Sequence, residues 1–396
     1  MATRSRRSSR RARRAGNGSN GGSRTATSRN GKPIRYAVLG LGYISQIAML
    51  PAFAHAKRNS VLAALVSDDP KKLKTLGRRY GVEHLCGYDD VDELYASGEV
   101  DAVYIATPNS RHRDDTVRAA NAGIHVLVEK PMAVTAEDCE EMIDAAKQNR
   151  VKLMVAYRLH FERANLEVAE LTRSGKLGEA RYFSSDFSQQ VGAGNARLKA
   201  ALGGGPVWDM GIYCINAARA VFAAEPTEVV AATVTRRGDT RFREVPETVS
   251  AMMRFPKDRI ATFVTSFGSA DRSVYQVVGT EGSVTVDPAY EFAQPLAYKL
   301  RTKRGEREER LGKSDQFAPE LLYFSDCILR GRDPEPSGEE GLADVRIILA
   351  IHQSMETGRW VRLELSQRSR RPNLAQELRR PGIEPPRLVH ASSPSA

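Results

Sequence analysis

The run His125-Val126-Leu127-Val128-Glu129-Lys130-Pro131 ends an apolar, β-branched stretch on a carboxylate, an amine and a proline. Such a stretch reads as a buried parallel strand. That places the Lys130 ammonium at the carboxyl end of a sheet, where open α/β sheets bind ligands. The proline fixes the backbone and stops the strand, so a lysine there suits chemistry better than structure. A second cluster follows: Gly203-Gly204-Gly205, Asp209, Gly211 and Tyr213 open an apolar helical run through Ile215, Ala218 and Val221. In a helix Asp209 and Tyr213 share one face. A tyrosine beside a cationic lysine is the more acidic for it, and suits proton transfer to or from a hydroxyl or carbonyl. Both residues also admit a structural reading, Asp209 as a helix N-terminal cap and Tyr213 as a core residue. The three glycines would let the chain approach a ligand closely.

These side chains need a frame to hold them. Ile34–Leu39 reads as a strand running into Gly40-Leu41-Gly42-Tyr43-Ile44-Ser45. A helical pattern follows through Ala48, Leu50, Phe53 and Ala54, and then a second apolar strand, Val61–Ser67. In this unit the glycines permit a tight turn, and the backbone comes close to a pyrophosphate at a helix N-terminus. Ser45 stands where a third glycine is usual, so the fingerprint is incomplete. Gly40, Gly42, Tyr43 and Ile44 are the candidate contacts of this turn. An NAD site usually has a carboxylate at the end of the second strand to bind the ribose hydroxyls. Here Ser67 and, five residues on, Lys72 suit a 2′-phosphate, so NADP is expected ahead of NAD. Asp68 and Asp69 are read as helix caps before Pro70-Lys71-Lys72.

Strands and helices go on alternating: Val100–Asn109, Ser110–Asn121, His125–Val128, Thr135–Gln148, Lys152–Ala156. That predicts a doubly wound parallel sheet. From Pro226 the pattern changes to strands without helices between them: Glu228–Thr235, Thr248–Phe255, Ile260–Ser266, Val274–Val278 and Val284–Val286. A largely antiparallel sheet is expected, one face on helices and one free, with helices over Pro319–Leu329 and Leu342–Thr357. The fold class is therefore α/β plus α+β. The expected divisions are a disordered basic tail over 1–32, a Rossmann NAD(P)-binding domain over 33–157, a substrate and oligomerisation domain over 158–365, and an irregular arm over 366–396.

Composition narrows the classes further. The chain has 396 residues, and its net charge of +11 is carried by its ends. Residues 1–32 hold nine Arg and one Lys without an acid, and 366–396 hold six Arg against two Glu, so the body between is slightly acidic. Nucleic acid is not the expected partner despite the basic tail. No stretch approaches the roughly 20 apolar residues that span a bilayer. Cys86, Cys139, Cys214 and Cys327 show no metal spacing and suit a reducing compartment. No metal is expected, the location expected is cytoplasmic, and export would need a signal upstream of the given start. The free sheet face makes a dimer or tetramer plausible.

Taken together the motifs resemble the Gfo/Idh/MocA oxidoreductase family. The matching stretches are V-L-G-L-G-Y around Gly42, L-V-S at Ser67, D-A-V-Y-I-A-T-P-N-S from Asp101, V-E-K-P-M-A from Val128, G-G-G-P-V-W-D-M-G-I-Y from Gly203, and G-E-E-G-L-A-D-V-R from Gly338. They extend over residues 34 to about 363. The resemblance implies Lys130 beside the nicotinamide, Asp209 as its partner in placing substrate, and Tyr213 as the acid/base. It implies Ser67, Lys72 and Tyr88 at the NADP phosphate, and cofactor contacts from Thr107, Pro108, Asn109, His112, Glu129 and Arg158. Most members carry histidine where this chain has Tyr213; tyrosine points to the glucose–fructose oxidoreductase branch. That branch is exported and buries its NADP under an N-terminal arm, whereas this Arg-rich tail is dissimilar, as is the loop Gln189–Ala201. The expected activity is NADP-dependent oxidation and reduction of a sugar. The alternatives are an NAD-dependent inositol or polyol dehydrogenase and a non-catalytic sugar-pathway regulator.

Overall fold

The computed structural model describes residues 31–368 and 370–395; nearly all of the basic tail expected over 1–32 lies outside them. Six strands form the first sheet: β1 (Ile34–Leu39), β2 (Ser60–Val66), β3 (His84–Cys86), β4 (Ala102–Ile105), β5 (His125–Glu129) and β6 (Leu153–Ala156). Their order is β3-β2-β1-β4-β5-β6, parallel throughout. The order reverses between β1 and β4, and the crevice at that switch point is where such sheets bind ligands. A helical stretch follows β1, made of a wider turn over Ser45–Met49 and then α1 (Leu50–Ala52). The other helices of this half are α2 (Pro70–Tyr80), α3 (Val91–Ala96), α4 (His112–Asn121) and α5 (Ala136–Gln148). The strand expected over Val100–Asn109 is only four residues long. It stops before Pro108, which has no N–H for a ladder, and Asn109–Arg111 form a 3₁₀ turn instead.

The second half contains α6 (Arg163–Arg173), α7 (Ile212–Phe222) and nine strands. These are β7 (Ala180–Gln190), β8 (Glu228–Val234), β9 (Thr248–Phe255), β10 (Arg259–Ser266), β11 (Gly268–Gly279), β12 (Gly282–Val286), β13 (Ala297–Thr302), β14 (Gly305–Arg310) and β15 (Val361–Arg362). Their order is β14-β13-β12-β11-β7-β10-β9-β8-β15. The sequence reading starts this sheet at Pro226 and misses β7, a central strand. Its run Ser184-Ser185-Asp186 lacks the β-branched signature, and pairing on both edges holds it in place, parallel to β10 and antiparallel to β11. One face packs on α7 and on α9 (Gly338–Thr357), which follows α8 (Ala318–Arg330). Tyr182, Val234, Ile260 and Val264 are exposed on the sheet.

The helix α9 also packs on α5 and β6, so it ties the two sheets together. Its contact with α7 is ionic and buried. Arg219 on α7 is fully buried and meets Glu225 at 2.5 Å, Glu340 at 2.8 Å and Asp344 at 2.6 Å. Asn216 donates to Glu340 and Asp344, each at 2.9 Å, and the Tyr157 hydroxyl donates to Asp344 at 2.6 Å. Beyond β15 the chain is irregular apart from a 3₁₀ turn at Leu374–Gln376, and it returns to pack Leu378, Ile383 and Val389 on the first sheet's core. Among the described residues no helix is long and apolar enough to cross a membrane.

Because α7 carries Tyr213, the Arg219 cluster sets where that ring stands. Arg219→Met should take the shared cation from three buried carboxylates. Glu225 and Glu340 keep Arg371 and Arg368, whereas Asp344 is left without one among the described residues, and unfolding free energy should fall by about 3–5 kcal/mol in chemical denaturation. A loss within the experimental scatter would show that packing alone seats α7.

Candidate active site

Residues from both halves line one cleft of about 510 Å³. At its floor, the backbone turns out of β1 at Gly40 with φ +92°. A Cβ there would sit 2.5 Å from the Ala106 carbonyl oxygen, so only glycine lets this turn lie against the end of β4. Gly42 is different: a Cβ there would meet nothing within 4 Å, and the space in front of it belongs to the cleft. Ser45, in the third glycine's place, donates its hydroxyl to the Gly40 carbonyl at 2.6 Å and closes the turn. Tyr43 and Ile44 also line the cleft. This open glycine face at the start of a helix fits the diphosphate of a dinucleotide.

At the end of β2, the Ser67 hydroxyl accepts from the Asp69 N–H at 3.2 Å and keeps its own proton to donate. Asp69 caps α2, accepting from the N–H groups of Lys71 and Lys72, and Asp68 accepts from the Tyr88 N–H. Both carboxylates that sat awkwardly beside a 2′-phosphate are thus engaged with backbone. The Tyr88 ring lies under the Arg111 guanidinium, 4.5 Å away. Ser67, Lys72 and Tyr88 stand outside the residues lining the main cleft, along the turn from β2 into α2 and the segment after β3.

The residues after β4 act partly as braces. Thr107 donates to Asp115 at 2.7 Å, and Asn109 donates to the Gly203 carbonyl at 2.8 Å, joining the halves. The buried His112 ring reaches the carbonyls of Pro131 and Thr107 at 2.8 and 2.9 Å, which fixes the loop after Lys130 against β4. Pro108 lies between them at the cleft wall. The glycine run crowds the protein itself. A Cβ at Gly203 would meet Val134 at 2.5 Å and one at Gly204 the Arg197 carbonyl oxygen at 2.4 Å. The close approach expected toward a ligand is therefore spent in part on seating this loop.

The reactive groups meet in the same cleft. The Lys130 Nζ donates to the Asp209 carbonyl oxygen at 2.8 Å and to its carboxylate at 3.2 Å, and stands 4.7 Å from the Tyr213 ring centre. Arg158, held by Gln316 and the Tyr290 carbonyl, places its guanidinium 5.0 Å from the same ring. Two cations thus face one phenol. Burial would push the Lys130 ammonium toward neutrality, but Tyr213, Asp209 and Glu129 outweigh it and hold its pKa above the ordinary lysine value. Glu129 is buried, which raises its carboxyl pKa against the pull of Lys130; it accepts from the Tyr104 hydroxyl at 2.6 Å.

Asp209 stands beside Lys130, the partner that the family resemblance implies for it. Its carboxylate ends on Lys130 and on Arg197, whose Nε lies 2.7 Å away, so it positions the lysine rather than the tyrosine. Burial alone would raise its pKa; Arg197 and Lys130 together hold it well below the usual carboxylate range. Arg197 escaped the sequence reading because it sits in the loop that shows no motif, and only the fold brings it back beside Asp209. Among the described residues no cluster of His, Cys, Asp or Glu could hold a metal.

Asp209 helps keep Lys130 charged, so Asp209→Asn should lower the lysine's pKa. Lysine holds its charge below its pKa, so the alkaline limb of a kcat/KM–pH profile should move to lower pH. A limb left in place would show that Asp209 does not hold the cation.

Comparison with known proteins agrees with this arrangement. The profile described as "Oxidoreductase family, NAD-binding Rossmann fold" matches residues 34–157, and that of the GFO/IDH/MocA C-terminal domain matches 165–285. A D-xylose 1-dehydrogenase [NADP(+)] of Haloarcula marismortui is 30% identical over 84% of this chain and 94% of its own. The aldose-aldose oxidoreductase of Caulobacter crescentus, solved with glycerol, is 41% identical with a TM-score of 0.80, covering 84% of this chain and 100% of that one. A 3-ketoreductase from Actinomadura kijaniata, solved with NADP and TDP-benzene, is 26% identical with a TM-score of 0.74, over 82% and 98%. With a parallel dinucleotide sheet, a second mixed sheet and the Lys130 cleft between them, this chain belongs to the Gfo/Idh/MocA family of oxidoreductases and is an enzyme.

Proposed function

We propose that this enzyme is an NADP-dependent aldose oxidoreductase. The observation that carries the reading is the convergence of Lys130, Asp209 and Tyr213 on one cleft from the two halves of the molecule. NADP, when bound, supplies the hydride chemistry. Asp209 and Arg197 hold the Lys130 ammonium in place, and that charge orients and polarises the substrate oxygen. Tyr213 takes the hydroxyl proton during oxidation and returns one to the carbonyl oxygen during reduction. Glu129, buried under Lys130, adds to the field that keeps the ammonium charged. Two of the relatives named above are a D-xylose dehydrogenase and an aldose-aldose oxidoreductase, which favours an aldose over an inositol. A regulator would have no need of both the lysine and its acid/base partner.

NADP is preferred to NAD because the end of β2 offers the Ser67 hydroxyl and the first turn of α2 offers Lys72, with both nearby aspartates turned to backbone. The glucose–fructose branch remains a narrower reading, resting on Tyr213. The free thiols of all four cysteines support a cytoplasmic setting. The exposed Tyr182, Ile260 and Val264 support pairing of two copies through the open sheet face, and sedimentation in solution would show a dimer or refute one.

Denaturing the purified protein should release NADP; release of NAD instead would overturn the cofactor reading. Tyr213→Phe should cost about 10²–10⁴-fold in kcat for an aldose while nucleotide binding persists, and Lys130→Ala should also fall severely. Near-normal turnover by either variant removes that residue from the mechanism. Lys72→Ala should weaken NADP by about 1–3 kcal/mol and leave NAD nearly untouched. Equal losses for both would show that Lys72 does not read the phosphate.

A further inference from the structure

The C-terminal segment comes back to the dinucleotide turn and crosses the cleft. Arg79 on α2 donates to the Arg387 carbonyl at 2.8 Å. Two residues on, Val389 pairs with the side chain of Gln46 as one strand pairs with another. Its N–H donates to the Gln46 Oε1 and its carbonyl accepts from the Gln46 Nε2, both at 2.8 Å. Gln46 is fully buried in the first turn after Gly42, and its Nε2 also donates to the Leu41 carbonyl, so it is a fixed anchor on the phosphate-binding turn. His390 next takes φ +44°, a conformation costly for a side chain with a Cβ, and its ring meets Asp69 at 2.8 Å, at the cap of α2. Ser393, Pro394 and Ser395 then line the cleft itself. Finally the Pro394 carbonyl accepts from the Gly192 N–H at 2.9 Å, on the far side, in the second half of the molecule.

We propose that residues 387–395 form a strap over the bound cofactor, so that NADP exchanges only when the strap lifts. The proposal rests on the reading that the cleft holds NADP. Its chemistry is local. The Gln46–Val389 pair fastens the segment to the turn that would face the diphosphate, and His390 takes up Asp69 at the 2′-phosphate end. The Gly192–Pro394 bond closes the span from one half of the molecule to the other. A strap tied at four points releases slowly, and each tie removed speeds release.

The test measures nucleotide release rather than turnover. NADPH is loaded on the intact chain, on a chain ending at Arg387, and on full-length Val389→Asp, which puts a charge at a buried tie. Excess NADP then displaces it and the fluorescence decay is followed by stopped flow. Thermal melting confirms that each variant is folded; if the shortened chain is not, Val389→Asp decides. Dissociation should quicken by about tenfold or more in the variants. An unchanged dissociation rate overturns the strap. Faster association with unchanged dissociation also overturns it, because the segment would then fill the cofactor's place rather than cover it. Failure of the intact chain to bind NADPH at all would sink the cofactor reading as well, and is separate from both.

Discussion

The structure depends on one ion pair that joins its halves. Lys130 directly follows β5 in the first sheet, and Asp209 stands in the helical turn before α7 in the second half. Neither residue alone makes a site. The lysine needs a nearby negative charge to stay charged in a pocket where its side chain is only 12% exposed. The aspartate needs cations, and Lys130 and Arg197 supply two. Desolvation is costly for each charge separately, so the cleft is in order only when both halves are docked. Docking is in turn secured by α9 and the Arg219 cluster, which seat α7 and therefore Tyr213. Structure and chemistry thus share one constraint.

This coupling explains why so many polar groups near the cleft are spoken for. Thr107, His112 and Asn109 bind protein atoms, and so do Asp68 and Asp69. Side chains already committed to partners do not reorganise when a ligand arrives, which is the physical meaning of a preorganised site. Lys130 and Tyr213 face the cleft, and the braces behind them keep them pointed there.

Much of this could be read from the sequence, and the limits have physical causes. The Gly40–Ser45 turn, the strand running up to Lys130 and the placing of Asp209 and Tyr213 in one short segment depend on local patterns, and those are visible in a chain. The cap role of Asp69 was likewise local. Arg197 is invisible because it lies in a loop that carries no periodicity, and only the fold brings it beside Asp209. The strand β7 was missed because its serines and aspartate are held in a sheet by neighbours on both sides rather than by their own propensity. Helical spacing puts Asp209 and Tyr213 on one face but does not show what the carboxylate binds; the turn preceding α7 is wider than an α-helix, and the carboxylate meets Lys130 and Arg197. The return of the C-terminal segment to Gln46 joins positions more than 340 residues apart, and no pattern in the sequence announces it.

The central claim is that Lys130 and Asp209 act as one unit. A double-mutant cycle tests it most directly, comparing kcat for an aldose in Lys130→Met, in Asp209→Asn and in the double variant. Residues acting as a unit are strongly non-additive, so the double variant should be little worse than the worse single one. Losses that multiply would contradict the account, because the two residues would then contribute independently and the ion pair across the halves would not be what organises the site.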